Sequence, residues 1–295
     1  MRIPIPGLKM LTLLLLSCTA CGALGAPPSG QISRTFSSDA GDKRSYYVAL
    51  PSNYTASKSY RLVLVFAGTD TTGKEMREWF GKGWLPPTVT GLESHMSDTI
   101  FVYPDQKWSW YGDKGWALGP YAGDYGGNHD IVFVKELLAV LQSTYSIDKN
   151  RVFATGHSWG GDMAAVVGCF LGDKFKAIAP VAANTPYWFG APPNPALCVG
   201  KPAVWTFFGL DDDYFGDSSP DGLFGEAQND FWMQRLSCTG AHTTSGETRR
   251  YTTGCAADLR LTLYAGGQYS GGGGYLGHQP PDYFLTSASN WFSSF

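Results

Sequence analysis

The segment from Arg151 to Cys169, RVFATGHSWGGDMAAVVGC, carries the spacing with the clearest chemical content. Gly156-His157-Ser158-Trp159-Gly160 fits G-x-S-x-G. A β-branched and aromatic run precedes it, and an Ala/Val-rich helical pattern follows. Strand, sharp turn and helix form the setting in which this motif becomes a nucleophile elbow. The turn forces the serine into a strained backbone conformation, which glycines two places to either side leave room for. Its hydroxyl then projects beside a helix N-terminus, where backbone N–H groups can meet an oxyanion. The chemistry predicted is acyl transfer through Ser158.

Such a serine needs a base, an acid to orient the base, and two amide donors. On an open α/β sheet these partners sit beyond the carboxyl ends of strands, in the chain order Ser, then Asp or Glu, then His. Only His242 and His278 follow Ser158. His242 lies in a polar Thr/Ser/Gly segment ahead of the last strand-like run and reads as a surface residue. His278, in Gly277-His278-Gln279-Pro280, follows that run through a Gly-rich loop and is the predicted base. His157 adjoins the serine but cannot turn back to its hydroxyl, and His95 and His129 precede it. Val204–Phe208 leads into Gly209-Leu210-Asp211-Asp212-Asp213, three carboxylates where the acid belongs. Position alone leaves the choice among them open. The oxyanion donors predicted are the N–H groups of Trp159 and of Thr69, the latter in Ala67-Gly68-Thr69-Asp70 after an early strand.

The elements that must position these residues are short apolar runs alternating with helical stretches. Strand-like runs are Tyr46–Leu50, Leu62–Phe66, Ile100–Tyr103, Val152–Thr155, Ala177–Val181, Val204–Phe208 and Leu259–Tyr264. Helical patterns cover Ile131–Tyr145, Gly161–Leu171, Ala227–Leu236 and a terminal segment from Pro281. This implies an α/β fold with a mostly parallel central sheet and helices on both faces, with an antiparallel edge as the alternative for the first runs. With neither repeat nor linker visible, residues 26–295 read as one domain.

Residues 1–25 read as a secretory signal peptide: Arg2 and Lys9, a short apolar run from Leu11 to Leu16, then small residues to Ala26. Their removal leaves 20 basic against 25 acidic residues, a net charge of −5. With no Lys/Arg cluster, nucleic acid and membrane are not expected as partners. Four later cysteines, Cys169, Cys198, Cys238 and Cys255, suit two disulfides in a secreted protein, with three connectivities open. Asn53 opens a glycosylation sequon. Gly272 to Gly277 matches G-x-G-x-x-G by letter, but prolines follow and no βαβ unit surrounds it, so it is no dinucleotide site. No metal or cofactor is implied. Trp108, Trp110, Tyr111, Trp116, Tyr187, Trp188 and Tyr214 stand in loop-like segments near strand ends and are the candidate substrate wall.

With these residues in place, the chain resembles carbohydrate esterase family one, the group of feruloyl esterases, acetylxylan esterases and relatives of polyhydroxybutyrate depolymerases. YRLVLVFAGT resembles its oxyanion-loop strand, ATGHSWGGDMAAVVGC its elbow, and WTFFGLDDD the segment carrying its acid. The resemblance implies an α/β-hydrolase fold and a Ser158–His278–Asp212 triad, since the family's acid falls three places after the glycine. It implies the pairs Cys169–Cys198 and Cys238–Cys255, and it makes Asp130 a helix cap. It further implies a secreted, monomeric serine esterase acting on esterified plant polysaccharide or oligosaccharide, with feruloyl arabinoxylan favoured over acetylxylan or a polyester. The chain departs from many relatives at Ala67-Gly68, where they carry His-Gly or His-Pro, and in a longer loop before His278.

Overall fold

The computed structural model of the protein describes residues 27–84, 88–265 and 277–295. Its strands are β1 (Gly30–Thr35), β2 (Lys43–Ala49), β3 (Tyr60–Phe66), β4 (Gly83–Trp84), β5 (Val89–Thr90), β6 (Thr99–Pro104) and β7 (Trp108–Trp110). There follow β8 (Asp113–Gly115), β9 (Ile147–His157), β10 (Ala177–Val181), β11 (Ala203–Gly209), β12 (His242–Ser245), β13 (Thr248–Tyr251) and β14 (Leu259–Tyr264). The helices are α1 (Gly73–Met76), α2 (Leu92–His95), α3 (His129–Thr144), α4 (Trp159–Phe170), α5 (Leu223–Leu236) and α6 (Phe284–Ser293).

Side-chain alternation explains why the central strands read as unbroken apolar runs. In β3, Leu62, Leu64 and Phe66 enter one hydrophobic core, while Val63 and Val65 enter another on the opposite face. The first core is closed by α3, α4 and α5, through residues such as Phe133, Leu137, Met163, Val167, Phe231 and Trp232. The second is closed by α6 and the segment around α1 and α2, through Met76, Phe80, Leu92, Phe284 and Phe292. A strand covered on both faces needs apolar side chains at every position.

Among the described residues one sheet runs in the order β1-β2-β6-β3-β9-β10-β11-β14-β13-β12. Neighbours from β6 to β14 are parallel. The early edge, β1 and β2 against β6, is antiparallel. The far edge, β12–β13 against β14, is also antiparallel and has no counterpart in the sequence reading. Its outermost strand is exposed at every position, so no buried face imposes a pattern. His242 is an exposed residue of that strand.

Among the described residues the disulfides are Cys169–Cys198 and Cys238–Cys255. The second closes a separation of 17 residues between the end of α5 and the start of β14. Replacing both Cys238 and Cys255 by Ala is expected to cost about 3 kcal/mol, since the unfolded chain regains the entropy of that loop. Urea unfolding checks this; an unchanged midpoint would refute it.

Asp130 is not a cap. The N-cap of α3 is Asn128, and Asp130 is buried, bonded to the Arg44 guanidinium and accepting the Ala117 N–H at 2.6 Å. Arg44 also binds Asp39 at 2.7 Å, while its bond to Asp130 ties the β2 edge to α3. Asn53 is exposed in the turn ahead of β3. No helix among the described residues is long and apolar enough to cross a membrane. The expected signal peptide, 1–25, and the glycine-rich stretch before Gly277 lie outside the described residues.

Candidate active site

Ser158 stands between the end of β9 and the first turn of α4, with φ 55° and ψ −125°. A side chain held at positive φ is strained by roughly 1–3 kcal/mol and persists only where its surroundings impose it. The Ser158 N–H donates to Val181 O at 2.9 Å on the neighbouring strand. A Cβ on Gly156 would lie 2.3 Å from Gly160 O, and one on Gly160 would lie 2.1 Å from Phe66 O. Both glycines are therefore required by close backbone approach. The serine hydroxyl does not cap α4.

His278 and Asp212 are both buried, at 4% and 2% exposure. Asp212 Oδ2 lies 2.8 Å from His278 Nδ1, and Oδ1 accepts the N–H groups of Tyr214 and Phe215 at 3.1 and 3.2 Å. The turn after β11 thus clasps one carboxylate oxygen and aims the other at the imidazole. A proton on Nδ1, facing the carboxylate, leaves Nε2 as the basic nitrogen. Nε2 is buried and has no hydrogen-bond partner among the described residues, and His278 shares a cavity with Ser158. Tyr214 stacks on the imidazole, with ring centres 4.7 Å apart and planes at 27°. Asp211 and Asp213 are exposed, but Asp213 Oδ1 accepts the His278 N–H at 3.1 Å.

His157 has a place that sequence reasoning missed. Its Nε2 lies 2.7 Å from His278 O, and its ring packs between Trp79 and His278, each with centres 4.9 Å away. Burial, with nearby His278 adding to it, lowers its pKa to about 3. His157 is therefore neutral at ordinary pH, and Nε2–H donates to the carbonyl of the neighbouring histidine. Adjacency to Ser158 was the only signal in the sequence. His157→Phe is expected to lower turnover about tenfold with KM little changed, the effect of losing one hydrogen bond of about 1.4 kcal/mol. His157→Gln, which keeps a donor, should recover most of it. Steady-state kinetics decide; wild-type turnover in the Phe variant would show that the bond positions nothing.

Thr69 lies in a loop pinned on several sides. Ala67 O accepts Trp116 Nε1–H at 2.8 Å and a Gln106 Nε2–H at 2.9 Å, and Gly68 O accepts from Gln106 at 2.7 Å. Asp70, at φ 54°, donates its N–H to Lys114 O at 3.0 Å and accepts the Lys114 N–H at 2.7 Å. A Cβ on Gly68 would lie 3.1 Å from His157 O, so this loop abuts the serine. Trp159 is the first residue of α4, and its N–H belongs to the amides that a helix leaves unbonded. Two amides beside a serine and a basic imidazole can stabilise a tetrahedral oxyanion.

Two cavities meet at Ser158, Thr69 and Tyr214, which line both. One is walled by Trp110, Tyr111, Tyr125, Trp159, Tyr187 and Phe215, with Asp113, Asp162 and Asn184. The other is formed by Gly68, Thr71, Trp79, His157, His278 and Gln279. Of the seven aromatic residues proposed from sequence, Trp110, Tyr111, Tyr187 and Tyr214 line a cavity. Trp108 is outside both linings, its ring packed on His129 at 4.6 Å. Trp116 and Trp188 are fully buried in the core and are not wall residues. Trp116 instead packs edge-on against Phe66 and holds the Thr69 loop through its indole N–H. Tyr125, Phe215, Trp79 and Asp162 were not anticipated. The Trp159 indole donates to Trp116 O at 2.9 Å and rests on Gly115, where a Cβ would come within 2.4 Å of the ring.

Residues 37–257 match the family described as "Putative esterase". A "Probable feruloyl esterase C" from Aspergillus clavatus is 25% identical over 234 residues, 77% of this chain and 76% of that protein. Feruloyl esterase D from Neurospora crassa is 29% identical over 189 residues, and the match spans only 58% of each protein. An acetyl xylan esterase from Aspergillus awamori superposes with a TM-score of 0.64 over 90% of this chain and 99% of that one, at 14% identity. A CE1 ferulic acid esterase from Anaeromyces mucronatus, solved with ferulic acid, gives 0.53 over 72% and 81% at 19% identity. The family match covers most of the chain and the fold is shared with solved esterases; the protein belongs to this esterase family and has the α/β-hydrolase fold.

Proposed function

We propose that the protein is a secreted serine esterase that hydrolyses feruloyl esters of plant cell-wall arabinoxylan. The observation that carries this reading is the aromatic-walled cavity that reaches Ser158, where it meets a second cavity lined by His278, itself paired with Asp212. Ser158 Oγ attacks the ester carbonyl and its proton passes to His278 Nε2, while Asp212 holds the imidazole tautomer and stabilises the imidazolium. The N–H groups of Thr69 and Trp159 receive the oxyanion. His278 then protonates the leaving sugar oxygen, so the alcohol occupies the cavity on the His278 side, by Thr71, Trp79 and Gln279. The acyl group takes the other cavity, where Trp110, Tyr125, Tyr187 and Phe215 suit an aromatic ring. Water, activated by His278, releases the acid from Ser158 and regenerates the enzyme.

Two disulfides and the N-terminal segment support an oxidising, extracellular setting. The names of the relatives, feruloyl esterases, support an aromatic acyl group. A panel of methyl ferulate, acetylated xylan, a short-chain nitrophenyl ester and polyhydroxybutyrate tests the reading. The highest kcat/KM is expected for methyl ferulate. Preference for acetylated xylan would make the protein an acetylxylan esterase, and polymer hydrolysis alone a polyester depolymerase.

A further inference from the structure

We propose that Asp162 is a specificity-determining residue of the acyl cavity: its carboxylic acid donates a hydrogen bond to an uncharged oxygen substituent on the ring of an aromatic acyl group. The proposal rests on the reading above for which cavity takes the acyl group.

Asp162 lies in the first turn of α4, four residues beyond Ser158, a rise of about 6 Å along the helix. Its N–H donates to Ser158 O at 3.0 Å, so its position is rigidly tied to the nucleophile. The residue lines the aromatic cavity, and only 6% of it is exposed. One carboxyl oxygen, Oδ1, accepts the Asn184 N–H at 2.6 Å. Among the described residues, the other oxygen has no hydrogen-bond partner, and no Lys, Arg or His forms an ion pair with the group. A buried carboxyl without a cation favours its neutral form, because burial penalises the charge. Burial accordingly raises its pKa to about 8, against the opposing effect of the Asn184 N–H.

At neutral pH the free oxygen side therefore carries a proton that can be donated into the cavity. Among the described residues, the ionisable groups lining the same cavity are Tyr111, Asp113, Tyr125, Tyr187 and Tyr214, with no Lys or Arg. Asp113 is exposed, and burial together with the Asp162 charge pushes the Tyr187 hydroxyl far above its usual range. Among these groups Asp162 is therefore the one expected to change protonation near pH 8. A purely structural role, holding Asn184 through Oδ1, would make no distinction among acyl groups.

The test compares kcat/KM for methyl 3,4-dimethoxycinnamate and methyl cinnamate. A methoxy oxygen can only accept, and neither substrate titrates. In the wild type the dimethoxy ester is expected to be preferred about tenfold at pH 6.5. That preference should fall towards unity as pH rises through about 8, because the ionised carboxylate no longer donates. Asp162→Asn keeps both an acceptor for Asn184 and a donor for the ring oxygen, so its preference should persist without the pH dependence. Asp162→Leu should show no preference at any pH. A wild-type ratio that is flat with pH overturns the proposal without any variant, and so does a Leu variant with the wild-type ratio. Hydrolysis of both cinnamates with an unchanged ratio refutes the role of Asp162 alone. Hydrolysis of acetylated xylan with neither cinnamate turned over refutes the aromatic-acyl reading and this proposal with it.

Discussion

Ser158→Ala is expected to lower turnover of methyl ferulate by roughly 10⁶-fold, about 8 kcal/mol of transition-state stabilisation. With Ser158 as the proposed nucleophile, its removal leaves His278 no hydroxyl proton to accept and Asp212 no imidazolium to stabilise. The fold should be unaffected, since the hydroxyl caps nothing and Ala at φ 55° carries the same backbone strain as Ser. Residues that act as a unit are not additive, so His278→Ala should reach a similar floor and the double variant should fall no lower. What remains above the uncatalysed rate comes from binding and from the amides of Thr69 and Trp159. Single-turnover kinetics with mass-verified protein give the measurement. A Ser158→Ala enzyme retaining more than about 1% of wild-type turnover would place the nucleophile elsewhere.

Asp212→Asn is expected to reduce turnover by about 10⁴-fold, the consequence of holding the base in the wrong tautomer. The asparagine oxygen can still accept from Tyr214 and Phe215, so the turn after β11 should keep its shape. The amide nitrogen would then face His278 Nδ1 and place the ring proton on Nε2, where the base must be free. Asp211→Asn should stay within about tenfold of wild type, because Asp211 is exposed. Asp213→Asn should do the same for a different reason: its amide oxygen can still accept the His278 N–H. Asp213→Ala removes that acceptor and should lower turnover more than Asp213→Asn does. A crippling Asp213→Asn would show that the acid has been misassigned by one residue.

The three aspartates mark where sequence reasoning reached its limit. The elbow was readable because its glycines answer local backbone clashes, and local chemistry is what a short motif encodes. His278 followed by elimination, as the only histidine beyond the last parallel strand. The choice of Asp212 rested on family spacing, since the contacts that favour it come from the fold of the following turn. His157 and Asp162 could not be singled out, because their environments are built from distant segments: Trp79 and His278 for one, Asn184 and Tyr187 for the other. Trp116 and Trp188 misled for a related reason. Their Gly- and Pro-rich surroundings suggested exposed loops, yet both indoles fill the core beneath those loops. The β12–β13 hairpin was missed because a solvated edge needs no apolar alternation.

Labelling with a fluorophosphonate, followed by intact mass measurement and peptide mapping, asks whether Ser158 is the nucleophile. An activated serine in a preformed oxyanion site attacks phosphorus, whereas an ordinary surface serine does not. A single adduct is expected, located on Ser158, whose formation is lost in His278→Ala and coincides with loss of esterase activity. A protein that hydrolyses esters yet takes up no label, or carries it on a different residue, would rule out Ser158 as the nucleophile.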